Sequence, residues 1–312
     1  MSHVDGVAIA PGYVFVSDGQ HNGVTRLETT ALDVSGGHRI GNGAPLSLAY
    51  GAGSLWTIDG TTNRLLRVNP KTWQIVHVTT VRGLPQAVAF GHDNVWVTTV
   101  QSLPNHMARR MLERVDPTTG EVTGHTVLTG TQDGEEIVIG NVVAVAGWLG
   151  PNIQLIDPTT MRIVRTISGR ASWPRDVPND LTGPPRLTSL KGAIYMLTGN
   201  DTIVRLSTDG PEPTVFLKTT AARFHINPRT YLTSADGLLW VLGSDRFYGI
   251  DPALGRITAV APAPKGGWVV GQARKAFLGG IVAVTRRGHE YTLYRLARNS
   301  LGAAGSFLPR RG

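Results

Sequence analysis

The chain has 312 residues, a formal net charge of +8, a sequence pI near 10.1 and no cysteine. The missing thiols exclude disulfides, thiolate nucleophiles and Cys-ligated zinc. No apolar run approaches the roughly 18 residues that span a bilayer. Met1 to Gly12 lacks a basic segment followed by an apolar one, so neither membrane insertion nor a secretory leader is expected.

In chain order, one phrase recurs at intervals of about 40–50 residues, a spacing characteristic of stacked repeats. It consists of a short apolar strand, a turn, a strand centred on an aromatic residue, a strand ending in Asp-Pro, and a fourth strand. The centres of the second strand fall at Phe15, Trp56, Trp96, Val143, Tyr195, Trp240 and Val282. A parallel series on the third strand runs Leu27, Val68, Val115, Ile156, Leu206, Ile250 and Leu296. The turns that follow are clearest at Asn69-Pro70, Asp116 to Gly120, Asp157 to Thr160 and Asp251 to Gly255. There Asp or Asn caps the turn, Pro presets φ, and Gly accepts a positive φ.

Two series advancing together predict an all-β fold: a seven-bladed β-propeller with four antiparallel strands per blade. The chain reads as a single domain over 1–312, with blades at approximately 4–43, 44–83, 84–131, 132–173, 174–221, 222–266 and 267–312. Each blade is expected to supply its own four strands. No segment has helical periodicity.

The Asp116 to Val122 and Ile156 to Ile163 stretches resemble the Ile-Asp-Pro-x-Thr-Gly-x-Val turn of YVTN-type seven-bladed propellers of bacterial surface proteins. The Gly-x-Leu-Trp strands are also similar to the streptogramin lyase group. The first resemblance implies binding or surface-layer duty. The second implies a Mg²⁺-assisted elimination that opens a lactone through His and Glu. His289 and Glu290 lie in the corresponding part of the last blade, but adjacent strand residues point to opposite faces.

Departures from the repeat mark the candidate sites, because loops carry function on a rigid scaffold. Val100 to Met111 reads as a lengthened loop holding His106, Arg109 and Arg110. Gly169 to Pro185 holds Trp173, Arg175 and Asp176, and Thr219 to Tyr231 holds Arg223 and His225. Trp148 joins Trp173 as a residue able to stack on a ligand, although a loop Trp also caps cores. Glu135 and Glu136 stand at the start of the fourth blade's inner strand. With His225, His289 and Glu290 they are the candidate acid–base or Mg²⁺/Ca²⁺ ligand set. The reading of these groups as solvated or paired with nearby Arg is preferred to a metal site.

The leading expectation is a ligand- or protein-binding module that uses irregular loops on one face around the central channel. Its positive balance favours an acidic protein, a glycan or an anionic small molecule. The alternative is a divalent-metal-dependent lyase or hydrolase acting on a small cyclic metabolite at the channel mouth. Nucleic acid is disfavoured, because the basic residues are scattered and no aromatic-rich basic motif tracks a single strand. A monomer is expected, cytoplasmic if Met1 is the natural start and extracellular if the chain is trimmed from a longer one.

Overall fold

The computed structural model describes residues 4–18, 23–28, 34–41, 45–104, 108–129, 135–147, 152–168, 186–198, 202–207, 214–218, 230–235, 237–243, 245–263, 268–272, 281–287, 290–297 and 300–307. All regular elements among them are strands, and no helix is long and apolar enough to cross a membrane.

The strands form successive antiparallel meanders. The first comprises β1 (Val4–Ala10), β2 (Tyr13–Asp18), β3 (Gly23–Glu28) and β4 (Val34–Arg39). The second comprises β5 (Pro45–Gly51), β6 (Ser54–Asp59), β7 (Arg64–Val68) and β8 (Ile75–Thr80). The third is larger: β9 (Leu84–Gly91), β10 (Asn94–Ser102), β11 (Ala108–Val115) and β12 (Val122–Leu128). The fourth holds β13 (Glu135–Ile139), β14 (Val143–Gly147), β15 (Ile153–Ile156) and β16 (Ile163–Ile167). The fifth holds β17 (Arg186–Leu190), β18 (Ala193–Leu197), β19 (Thr202–Leu206) and β20 (Thr214–Lys218). The sixth holds β21 (Tyr231–Ala235), β22 (Leu238–Leu242), β23 (Arg246–Asp251) and β24 (Arg256–Pro262). A last sheet pairs β25 (Trp268–Gln272), β26 (Ile281–Arg287), β27 (Glu290–Ala297) and β28 (Ser300–Phe307). Inner strands neighbour one another in the order β1, β5, β9, β13, β17, β21, β25, and β25 lies beside β1.

The expectation of a seven-bladed propeller needs correction. Packed cores are described for six four-stranded blades, whereas β25–β28 is defined by backbone pairing alone. The described core is therefore that of an all-β propeller with six packed blades of four antiparallel strands.

Both sequence series lie where a propeller needs them. Phe15, Trp56, Trp96, Val143, Tyr195 and Trp240 are buried, as are Leu27, Val68, Val115, Ile156, Leu206 and Ile250. Alternate residues of one blade face its two neighbours, so each core lies between blades. Trp56 packs with Val88, Val95 and Val97 of the third blade, and Trp96 with Ile137, Val143 and Ile156 of the fourth. Trp56 and Trp96 also donate Nε1–H to the carbonyls of Gly51 and Gly91, at 3.1 and 2.9 Å. In the sixth blade the Trp240 Nε1 is buried with no hydrogen-bond partner among the described residues.

The Asx-Pro turns repeat in atomic detail. Asp116 Oδ1 accepts from the backbone N–H of Thr118 and Thr119, and Asp157 Oδ1 from Thr159 and Thr160. Asn69 does the same for Lys71 and Thr72. These bonds hold the Asp116 and Asp157 carboxyls below the ordinary value, because they favour the charged form. The fifth position of each turn is left-handed: φ is 75° at Gly120 and 58° at Gly255, but also 64° at Trp73 and 61° at Met161. A side chain there costs roughly 1–2 kcal/mol. Trp73 and Met161 offset it by wedging between blades, Met161 into the third–fourth core and Trp73 edge-on to Phe15 at 5.7 Å.

Candidate functional site: the rim of the third blade

Part of the positive charge serves the fold. An Arg stands one residue before the third-strand series position at Arg26, Arg67, Arg114, Arg205 and Arg295. Arg26 Nη1 donates to the carbonyls of Pro70 and Lys71 in the next blade's turn, at 2.9 and 3.2 Å. Arg114 Nη1 repeats this with Pro158 and Thr159, at 2.9 and 3.1 Å. Arg67 instead bonds Ser54 Oγ and lies over the Trp56 ring. Arg26 and Arg114 thus staple their blades to the next, so the arginines that lie off the repeat are the better candidates for recognition.

Two of those meet at the third blade. Strand β6 ends at Asp59, three residues after Trp56, whereas β10 continues to Ser102, six residues after the equivalent Trp96. Three extra residues carry the β10–β11 hairpin about 10 Å beyond its counterpart. Val100 to Met111 is therefore chiefly strand rather than the expected loop, with Val100 paired to Arg110, Gln101 to Arg109 and Ser102 to Ala108. Alternation separates the two arginines. Arg109 is exposed, and Arg110 is only 5% exposed inside the blade.

The connection entering β9 lies against this hairpin. A Cβ on Gly83 would come within 2.5 Å of the Val100 carbonyl oxygen and 2.9 Å of the Gln101 nitrogen, so only glycine permits the approach. Arg82, immediately before it, is exposed, and Leu84, immediately after it, is 48% exposed. Gln101 bridges the connection to Arg109 by strand pairing.

A buried acid fixes this arrangement. Glu113 Oε1 accepts from the Arg82 backbone N–H at 2.8 Å and from Thr99 Oγ1 at 3.2 Å. Glu113 has no exposed surface, and its Oε2 has no hydrogen-bond partner among the described residues. The equivalent of Glu113 in the fourth blade is Gln154, whose Oε1 accepts from the Thr129 backbone N–H at 3.1 Å. Its Nε2 donates to Thr129 Oγ1. In the second blade the position is Leu66, a core residue.

The second blade presents a neutralised counterpart on the same side. Burial raises the Asp59 pKa, but hydrogen bonds from Thr61 N–H and Oγ1, at 3.1 and 2.8 Å, and the Arg64 charge together hold it below the ordinary value. Arg64 is thereby matched by Asp59, its strand-pair partner. Among the described residues no carboxylate bonds the Arg82 or Arg109 side chain.

The remaining sequence candidates do not converge in what is described. Glu136 is half-buried on β13, while for Glu135 and Glu290 only the backbone, in β13 and β27, is described. His106, Trp148, Trp173, Arg175, Asp176, Arg223, His225 and His289 lie outside the described residues. Among the described residues, no three His, Asp or Glu side chains gather as a metal site would require. Sequence reasoning missed Arg82, Leu84 and Glu113. The one available signal was the Gly83-Leu84-Pro85 interruption directly before an inner strand.

No protein-family model matches the chain, and no curated protein matches it. Solved structures do. A structure titled Kuenenia stuttgartiensis Hydrazine Synthase superposes with a TM-score of 0.66 at 12% identity, over 96% of this chain and 95% of that one. KlHsv2 with loop 6CD replaced by a Gly-Ser linker superposes with a TM-score of 0.61 at 10% identity, over 99% of both chains. At such identities the likeness shows the fold alone: the chain is a β-propeller, similar in architecture to both.

Proposed function

We propose that the protein is a binding module whose recognition surface is the irregular face to which the β10–β11 hairpin projects. The observation that carries this reading is the extension of the third blade. Its three extra residues build no interblade core, yet Gly83 and Glu113 hold them against a neighbouring connection. A rigid, protruding and charged edge is suited to contact a partner, since preorganisation lowers the ordering cost of binding. The positive charges favour an acidic partner.

The test is to replace residues 101–109 by Asn-Gly, a turn that closes two-residue hairpins. The shortened protein and the parent are then compared on arrays of peptides, glycans and anionic metabolites. The proposal expects retained melting behaviour and loss of the parent's ligands. Unchanged ligand binding by the shortened protein would place recognition elsewhere.

A further inference from the structure

The seam between the first and second blades carries an arrangement independent of the third-blade rim. Its centre is Trp73, the left-handed residue of the second blade's Asn-Pro turn. The indole lies back over the first blade, edge-on to Phe15 and stacked on the His38 ring, with centroids 4.4 Å apart and planes at 26°. Arg26 stands 5.6 Å from the centroid of the same indole and 4.9 Å from that of Tyr13. The Trp73 Nε1 is buried with no hydrogen-bond partner among the described residues, so ring contacts hold the indole in place.

We propose that His38 is an acid-sensitive latch on this seam. Neutral, its imidazole stacks on Trp73 and closes the second blade's turn onto the first blade. Protonated, it stands as a second cation beside Arg26, and the stack parts. The strand register makes the two groups neighbours: Val24 pairs with His38 across β3 and β4, and Arg26 lies two residues along β3 on the same face. Such diagonal neighbours are about 7–8 Å apart at the backbone, within reach of a long side chain.

The other charged groups on these elements do not offset the second cation. Among the described residues Glu28 is the carboxylate on this face of β3, four residues from Val24 and so about 13 Å along the strand. Tyr13 pairs with Glu28. Arg39 follows His38 and alternates to the opposite face. Lys71, in the turn itself, is a further cation. An imidazolium also gains attraction to an indole face. Here Arg26 already shares that indole, and burial opposes a new charge. Partial burial first, and then the Arg26 charge, hold the His38 imidazole below its ordinary value near 6.5. A folded value below the unfolded one favours the neutral ring in the fold. The latch's contribution is therefore complete above about pH 6.5 and is lost as pH falls through the lower folded value. The third and fourth blades have Gly120 and Met161 at the Trp73 position, so His77, which lies against Gly120, has no indole to stack on.

The test is an NMR titration of the full chain with labelled histidine, the His38 signal being assigned by its loss in His38→Phe. The expected result is a His38 Cε1–H signal that is displaced by the Trp73 ring at high pH and titrates below free histidine. That displacement is expected to vanish as the ring protonates. Arg26→Gln is expected to move the titration towards that of free histidine, and Trp73→Gly, which suits the left-handed φ, to remove the displacement. The Trp73 amide, which donates to the Asn69 carbonyl, gives a second readout by hydrogen exchange. Parent and His38→Phe, whose ring stacks without titrating, are expected to match at about pH 8, with the parent roughly threefold or more faster at about pH 5. A His38 titration at or above that of free histidine overturns the latch, as does a ring displacement that survives protonation. Equal exchange in parent and His38→Phe at both pH values overturns it as well. If Trp73→Gly fails to fold, the parent titration and the exchange comparison still decide.

Discussion

The third and fourth blades solve the same structural problem with different residues, and the differences separate scaffold from function. Trp96 fills the centre of the third blade, and Val143 fills that of the fourth. Arg114 reaches across to the next turn where the fourth blade has Leu155 at the equivalent position. Gly120 takes the left-handed turn position in one, and Met161 plugs it in the other. Each exchange preserves burial or a bond, so each reads as packing. Glu113 against Gln154 is different, because the third blade uses a buried carboxyl for a bond that an amide makes next door. That exchange sits under the hairpin that projects furthest among the described residues.

The strongest test of this comparison is at the blade centres. Trp96→Ala should cost about 3–5 kcal/mol, against a smaller loss for Val143→Ala, measured by denaturant unfolding. Equal costs would mean that the aromatic position is not the principal wedge. Next come the anchors: Glu113→Leu and Gln154→Leu should each leave a part-buried main-chain N–H unpaired, at about 1 kcal/mol. Glu113→Gln should instead leave stability nearly unchanged, since an amide oxygen accepts the same bond, as Gln154 Oε1 does. A clear loss on Glu113→Gln would show that the amide does not keep the anchor.

A smaller effect is expected in the turns. Gly120→Ala should destabilise through its positive φ and a clash with the His77 ring. Met161→Gly relieves backbone strain of about 1–2 kcal/mol but loses interblade packing worth more, so it too should destabilise. The smallest effect is in pH. Asp59, Asp116 and Asp157 are held below the ordinary carboxylate value in the folded chain. Their contribution is complete above the unfolded value, near 4, and fades as pH falls through their lower folded values. Asp116→Asn with Asp157→Asn should keep the caps, as Asn69 does already, and flatten part of that acid slope in melting temperature.

The repeat was legible because burial and turn chemistry write themselves into residue type at fixed spacing. Trp56, Trp96 and the Asp-Pro turns carry that signal in a single side chain each. The rim was only half legible. Arg109 was visible in an insertion, but Arg110 reads identically beside it and points into the blade. Glu113, between Leu112 and Arg114, looks like an ordinary strand charge; its role depends on a main-chain N–H that the ring brings to it from Arg82. The recurrent arginine before the third-strand core was present in the sequence, and at Arg26 and Arg114 it bonds the next blade's turn rather than standing free for a polyanion.

Hydrogen–deuterium exchange of the full chain with and without a ligand found in the array experiment tests the central claim most directly. The account predicts added protection confined to residues 82–86, 100–102 and 108–110. Protection at the Asx-Pro turns instead, with the third-blade rim unchanged, would contradict it.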